Sequence, residues 1–147
     1  MINKVGLFGT CGGSTWRNRF MARYDELGIE YYNPVVEDWD ESCAKEEAEH
    51  LISDRLILFP VLGETYGFRS LGETGFSIAQ AILLKKQTIV LVDEKVSEDW
   101  GGNPELIKES NKARALVRAH LFKVKHPNVF VVDTLEEMLL KSIEIML

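Results

Sequence analysis

Three short stretches of this chain gather the side chains that could act on a small molecule. The first is the run Gly9, Thr10, Cys11, Gly12, Gly13 and Ser14, closed by Thr15. Small residues there let a ligand approach the backbone, and the amides opening a helix favour anionic groups. The glycines fall at 9, 12 and 13. The run is therefore neither GxGxxG nor a nucleoside-triphosphate loop ending in Gly-Lys-Ser or Gly-Lys-Thr. A tight turn with Ser14 or Thr15 as helix N-cap accounts for the same residues. The second stretch, 33–40, places Glu37, Asp38 and Asp40 around Trp39. Trp39 suits covering a base or a sugar, while Asp38 or Asp40 suits holding hydroxyls or acting as acid or base. Asp40 is equally well placed to cap the next helix.

The third stretch, 63–73, carries Tyr66, Arg69, Ser70 and Glu73. Connections this long between strand and helix tend to be functional. Glu73 opens a helix whose next residues, Thr74, Gly75 and Ser77, keep its surroundings small. Ser70 and Glu73 also have the spacing of a capping box, a structural role that competes with catalysis. Elsewhere the residue types do not combine. His50, His120 and His126 lack metal-ligand spacing, so no metal is expected. Cys11 has no base partner and is read as a packing residue. The segment 100–104 reads as a flap or a plain turn.

Positioning these loops requires a regular frame. Apolar runs at 4–8, 29–32, 55–59, 88–92 and 128–132 read as strands. Between them, Trp16, Phe20, Tyr24 and Leu27 mark one helical face, stopped by Gly28. Ala44, Ala48, Leu51 and Ile52 mark a second helix. Phe76, Ala79, Ile82 and Leu83 mark a third over 70–84. Leu106, Ala113, Leu116 and Val117 mark a fourth from Pro104 to about His120. The spacing Thr134-Leu-Glu-Glu137 is a capping box opening a fifth, with Leu135, Met138, Leu139, Ile143 and Met146 inward. Alternating strands and helices imply a five-stranded parallel sheet in a three-layer α/β sandwich. The flavodoxin-like, Rossmann-like strand order 2-1-3-4-5 is expected. Its ligand crevice lies at the carboxyl ends of strands one and three, where loops 9–15, 33–41 and 60–73 meet.

Composition narrows the function classes. The 147 residues are 46% hydrophobic and 27% charged, which suits one domain spanning 1–147. A net charge of −6 offers no footprint for a nucleic acid polymer or an anionic membrane surface. The apolar run 56–62 is far short of the roughly 20 residues that span a bilayer. Two cysteines form no disulfide framework, so a cytoplasmic, reducing setting is expected. No cofactor is expected; flavin is disfavoured because the first loop lacks a Ser/Thr-rich run for its phosphate.

Taken in order, these motifs resemble the nucleoside 2-deoxyribosyltransferase-like family. The resemblance runs over about 4–92. It rests on the first glycine loop, Asn33-Pro34 with nearby acids, Ser53-Asp54 before the third strand, Glu73-Thr-Gly-Phe76 opening a helix, and Lys86 before the fourth strand. It implies that Glu73 is a nucleophile displacing the base from C1′ of a nucleoside or nucleotide, as in a retaining glycosidase. The sugar ester is then resolved by a second base or by water. The family places a tyrosine on the first strand, where this chain has Leu7 and Phe8. It places an aspartate shortly before the glutamate, at the position of Gly67. Tyr66 or Asp40 is left to supply those groups. The resemblance also implies a homo-oligomer, with Asn111 on the helix from Pro104 as the residue reaching across. The alternative reading is a non-catalytic module of the same fold binding a nucleotide-derived ligand.

Overall fold

The computed structural model describes residues 1–147. Strand and helix alternate as β1 (Ile2–Leu7), α1 (Trp16–Leu27), β2 (Tyr31–Tyr32), α2 (Glu41–Ser53), β3 (Asp54–Val61), α3 (Phe68–Leu83), β4 (Gln87–Val92), α4 (Pro104–Leu121), β5 (Val129–Val131) and α5 (Leu135–Met146). All five strands are parallel, in the order β2-β1-β3-β4-β5. This is the expected flavodoxin-like topology. β3 and β4 are buried almost throughout because helices cover both sheet faces. On one face Val5, Leu7, Leu56, Leu58 and Ile89 pack with Trp16, Phe20 and Tyr24 of α1 and Met138 of α5. On the other, Ile57, Phe59, Val61 and Val90 pack with Leu71 of α3 and Leu121 of α4. No helix is long and apolar enough to cross a membrane.

The ends of several helices follow their local chemistry. Gly28 closes α1 in the left-handed region at φ 68°. The Thr134 hydroxyl accepts from the Glu137 amide, and Glu137 accepts from the amide of Asp133, one residue before the expected capping-box partner.

Three inward faces differ from the apolar stripes. α3 turns Leu71, Thr74, Ser77 and Ala81 to the sheet and leaves Phe76 and Leu83 outside. Small side chains let the helix lie close on β3 and β4. The Ser77 and Thr88 hydroxyls, 3.2 Å apart, satisfy each other, and Thr88 also donates to the Ile57 carbonyl. On α4 the buried residues are Ser110, Arg114 and Leu121, while Leu106 and Leu116 face out. α2 buries no residue fully. Ala44, Ala48 and Ile52 are exposed, and Cys43, Glu47, His50 and Leu51 face inward. Polar contacts hold this helix: His50 Nδ1 lies 2.9 Å from Asp54 Oδ1, and its ring stacks on Tyr32 at 3.6 Å. The buried Lys86 amine donates to the Leu51 carbonyl. Burial draws its pKa down to about 8 against the opposing pull of Asp54.

The switch in strand order sits between β1 and β3, and the chain stitches their ends together. The Thr10 amide donates to the Pro60 carbonyl at 2.8 Å, and the Thr10 hydroxyl accepts from the Leu62 amide at 2.8 Å. Gly9 makes this approach possible. Its φ is +88°, and a Cβ there would lie 2.3 Å from the Pro60 carbonyl oxygen.

Candidate functional site

Over the carboxyl ends of β1 and β3 lies a cleft of about 790 Å³. The first glycine loop forms its floor through Gly9, Cys11, Gly12 and Gly13. Pro34, Val35, Val36 and Trp39 form one wall, and 65–70 with Glu73 form the other. A shallower hollow of about 550 Å³ beside β5 and α5 lies outside the loops of the switch.

The floor is held from beneath by the first turn of α1. Arg17 is 3% exposed and donates to the carbonyls of Leu7 at 2.8 Å, Thr10 at 2.6 Å and Gly9 at 3.3 Å. Burial lowers its pKa, with Cys11 opposing. The Trp16 indole donates to the same Thr10 carbonyl at 2.9 Å. The Cys11 thiol donates to the Gly9 carbonyl at 3.4 Å. Gly12 and Gly13 both take positive φ, which frees the loop from side chains at the cleft surface.

The opposite wall is held by α4. Arg114, fully buried, donates to the carbonyls of Leu62 at 2.8 Å and Thr65 at 3.1 Å. It donates also to Val61 and Asp93, and Ser110 donates to the Tyr66 carbonyl at 2.5 Å. The Tyr66 hydroxyl accepts from the Asn103 amide at 2.8 Å, and its ring meets Trp100 edge to face. The segment 100–104 thus braces the wall.

Glu73 stands on the second turn of α3. That helix begins at Phe68 with Gly67 as its N-cap and no side-chain cap, so Ser70 and Glu73 form no capping box. The Glu73 carboxyl has no hydrogen-bond partner in its own helix and opens to the cleft. Desolvation pushes its pKa above the usual carboxylate range; Glu47 adds to the rise and Arg69 opposes it. Glu47 reaches the cleft from α2 and accepts from the Trp39 indole at 3.1 Å. The two carboxyl groups and the guanidinium therefore share one site.

Of the residues singled out from sequence, the cleft brings together Gly9, Cys11, Gly12, Gly13, Trp39, Tyr66, Arg69, Ser70 and Glu73. Asp40 is placed as the α2 cap, accepting from the Ser42 amide at 2.8 Å and from the Cys43 amide at 3.3 Å. The Ser42 hydroxyl heads the bonds that lower its pKa. Asp38 is exposed and does not line the cleft. Thr10 is buried in the stitch between strands, and the buried Ser14 hydroxyl has no partner. Asn111 is engaged within its own chain, accepting from the Val96 amide at 2.9 Å. Glu47, Arg17 and Arg114 were not singled out. For Glu47 a signal was present: Cys43, Glu47 and His50 have helical spacing, and the first turns of α2 must leave from the crevice rim. No group of three or more His, Cys, Asp or Glu side chains is arranged to hold a metal ion.

No protein-family model matches this chain, and no curated protein resembles it significantly.

Proposed function

We propose that the protein breaks the N-glycosidic bond of a nucleoside or nucleotide, with Glu73 as nucleophile. The observation that carries this reading is Glu73 itself. It is an exposed carboxyl group with no structural partner, in the cleft at the switch point of a parallel sheet, with Arg69 and Glu47 beside it. Trp39 and Tyr66 offer flat apolar surface for a base, and the glycine floor lets a sugar approach the backbone. In the reaction, a Glu73 oxygen bonds to C1′ as the C1′–N bond breaks. The bond's electron pair leaves with the base, which takes up a proton. That proton comes from solvent, because Asp40 is committed to the cap of α2. A nitrogen of a second base, or water, then displaces Glu73 from C1′ and yields the transferred nucleoside or the free sugar.

The test is incubation with mixed 2′-deoxynucleosides, or their 5′-monophosphates, and a foreign free base. New nucleosides or released base are expected by chromatography. Ligand held tightly and recovered unchanged would assign the cleft to binding alone.

The charges around Glu73 set a pH prediction. Turnover needs Glu73 ionised, so activity should rise with pH through its elevated pKa. Glu47 repels the Glu73 anion, and Glu47→Gln should therefore move the acid limb of the kcat/KM profile to lower pH. Arg69 stabilises that anion, so Arg69→Met should move the limb to higher pH. Shifts in the reverse directions, read from initial rates across pH, would refute the assignment.

A further inference from the structure

Four aromatic side chains border the cleft, and three of them are already engaged. Phe8 meets Tyr32 with 6.0 Å between ring centres. Tyr66 and Phe68 stack at 5.9 Å, and Tyr66 also meets Trp100 edge to face at 4.4 Å. Trp39 is the fourth; it has no aromatic neighbour and is 54% exposed. Its ring is nonetheless held, because the indole N–H donates to Glu47 Oε2 at 3.1 Å. That bond ties the loop before α2 to the helix itself and restrains the plane of the ring. Trp39 is therefore the free stacking surface of the cleft, and a flat ring laid on it lies beside Glu47.

Glu47 has an oxygen to spare. Oε2 takes the indole proton, and Oε1 accepts from no group in the chain. An ionised carboxyl group only accepts, so Oε1 calls for an N–H or O–H of the ligand. The position suits the base more than the sugar's far end. After desolvation, the charge of Glu47 is the next cause of the raised Glu73 pKa, so the two carboxyl groups are near each other. Glu73 addresses C1′, and the base is joined to C1′ by a single bond.

We propose that Glu47 selects nucleosides whose base carries an amino group at the 6-position of a purine or the 4-position of a pyrimidine. The inference rests on the reading of the cleft as a nucleoside site. Such an amino group turns N–H donors outward from the base edge, where one meets Oε1 while the ring lies on Trp39. In hypoxanthine or uracil an oxo group stands at that place. Its lone pairs face the carboxylate, and Oε1 loses water without gaining a donor. The ring N–H of those bases is no substitute, because the oxo group beside it is brought towards the same anion. Glu47 is thus a specificity residue that acts in binding, and the bond to C1′ still breaks at Glu73.

Equilibrium binding to the full chain carrying Glu73→Gln, which does not consume its ligand, reads the selection directly. The pairs to compare are 2′-deoxyadenosine with 2′-deoxyinosine, and 2′-deoxycytidine with 2′-deoxyuridine. The amino member of each pair should bind ~10-fold or more tightly. Adding Glu47→Gln should reverse the preference. The glutamine oxygen keeps the bond to Trp39, and its NH2 group takes the place of Oε1 and donates to an oxo group. A Glu47 that only held the loop would not turn the order round. Amino preference in binding without turnover by the parent would uphold the selection and assign the cleft to binding alone. Equal binding within the pairs, or an order unchanged by Glu47→Gln, would overturn the selection and leave the nucleoside reading standing. Binding of none of the four nucleosides would overturn both.

Discussion

Glu73→Gln is expected to lower turnover by on the order of 10³-fold or more while the protein folds as before. Glutamine keeps the shape of the side chain and its place on α3, but its amide does not form the ester with C1′. Nothing structural is lost, because the carboxyl caps no helix and has no hydrogen-bond partner in α3. The stability of this variant separates the catalytic role from a structural one. The folded state holds the Glu73 pKa above its unfolded value, so ionisation opposes folding. That opposition is absent below the unfolded pKa and develops as pH rises through the folded pKa. Glutamine never ionises, so at pH 7 the variant should be as stable as the parent or slightly more so. At acid pH the difference should vanish. A capping role would give the reverse, a loss at neutral pH.

Covalent capture gives an independent reading of the same group. A 2-fluoro-2-deoxy nucleoside slows both oxocarbenium-like steps, and with a good leaving group its sugar should remain on the enzyme. Intact-mass spectrometry reads the added sugar, and peptide mapping should place it within 70–76. A fully active Glu73→Gln protein, or a label on Glu47 or Asp38, would end the assignment. The variant must still bind substrate for its rate to count, which equilibrium binding of the unreacted nucleoside checks.

The sheet was legible because burial on both faces leaves nearly unbroken apolar strands such as 55–59 and 88–92. Their alternation with helical spacing leaves few topologies. The three cleft loops followed from that topology, since ligands gather where strand order reverses. The helix faces were less legible. Apolar spacing identifies an inward face only when burial is apolar, as it is for Trp16, Phe20 and Tyr24 of α1. α3 meets the sheet with Thr74, Ser77 and Ala81, where small size matters more than hydrophobicity, so its greasiest stripe marks a different surface. α2 is held by His50, Asp54 and Lys86, and its polar inner face hid Glu47. Asp40 fitted two roles in sequence, and only the geometry of Ser42 and Cys43 separates them. The two buried arginines were out of reach for another reason. A guanidinium beneath a loop is recruited by carbonyl groups, and carbonyls leave no trace in residue types.

Arg114→Met should cost about 3–5 kcal/mol of stability. Arg114 is the largest fully buried side chain of the molecule. Its guanidinium donates to Val61 and Asp93 through one nitrogen and to Leu62 and Thr65 through another, while Nε donates to the Ser110 hydroxyl at 3.1 Å. Methionine has similar length and no donor, so it would fill most of the space and leave those carbonyls dry and unpaired. For a chain of this size the melting temperature should fall by roughly 10 °C, measured by circular dichroism. Arg114→Lys should lie between, because one ammonium offers three donors in place of a planar set of five. The loop beneath Tyr66 is tight enough to sense the change: a Cβ at Gly67 would already stand 2.9 Å from Arg114 Nη2. That loop leads directly into α3 and sets the height of Glu73 over the cleft. Activity measured well below the melting point should therefore fall in kcat more than in KM, as expected when the nucleophile is displaced and the binding surface remains. A methionine variant that melts with the parent would remove the role given to these carbonyl contacts. One that melts early yet keeps its kcat would show that Arg114 supports the fold without positioning Glu73.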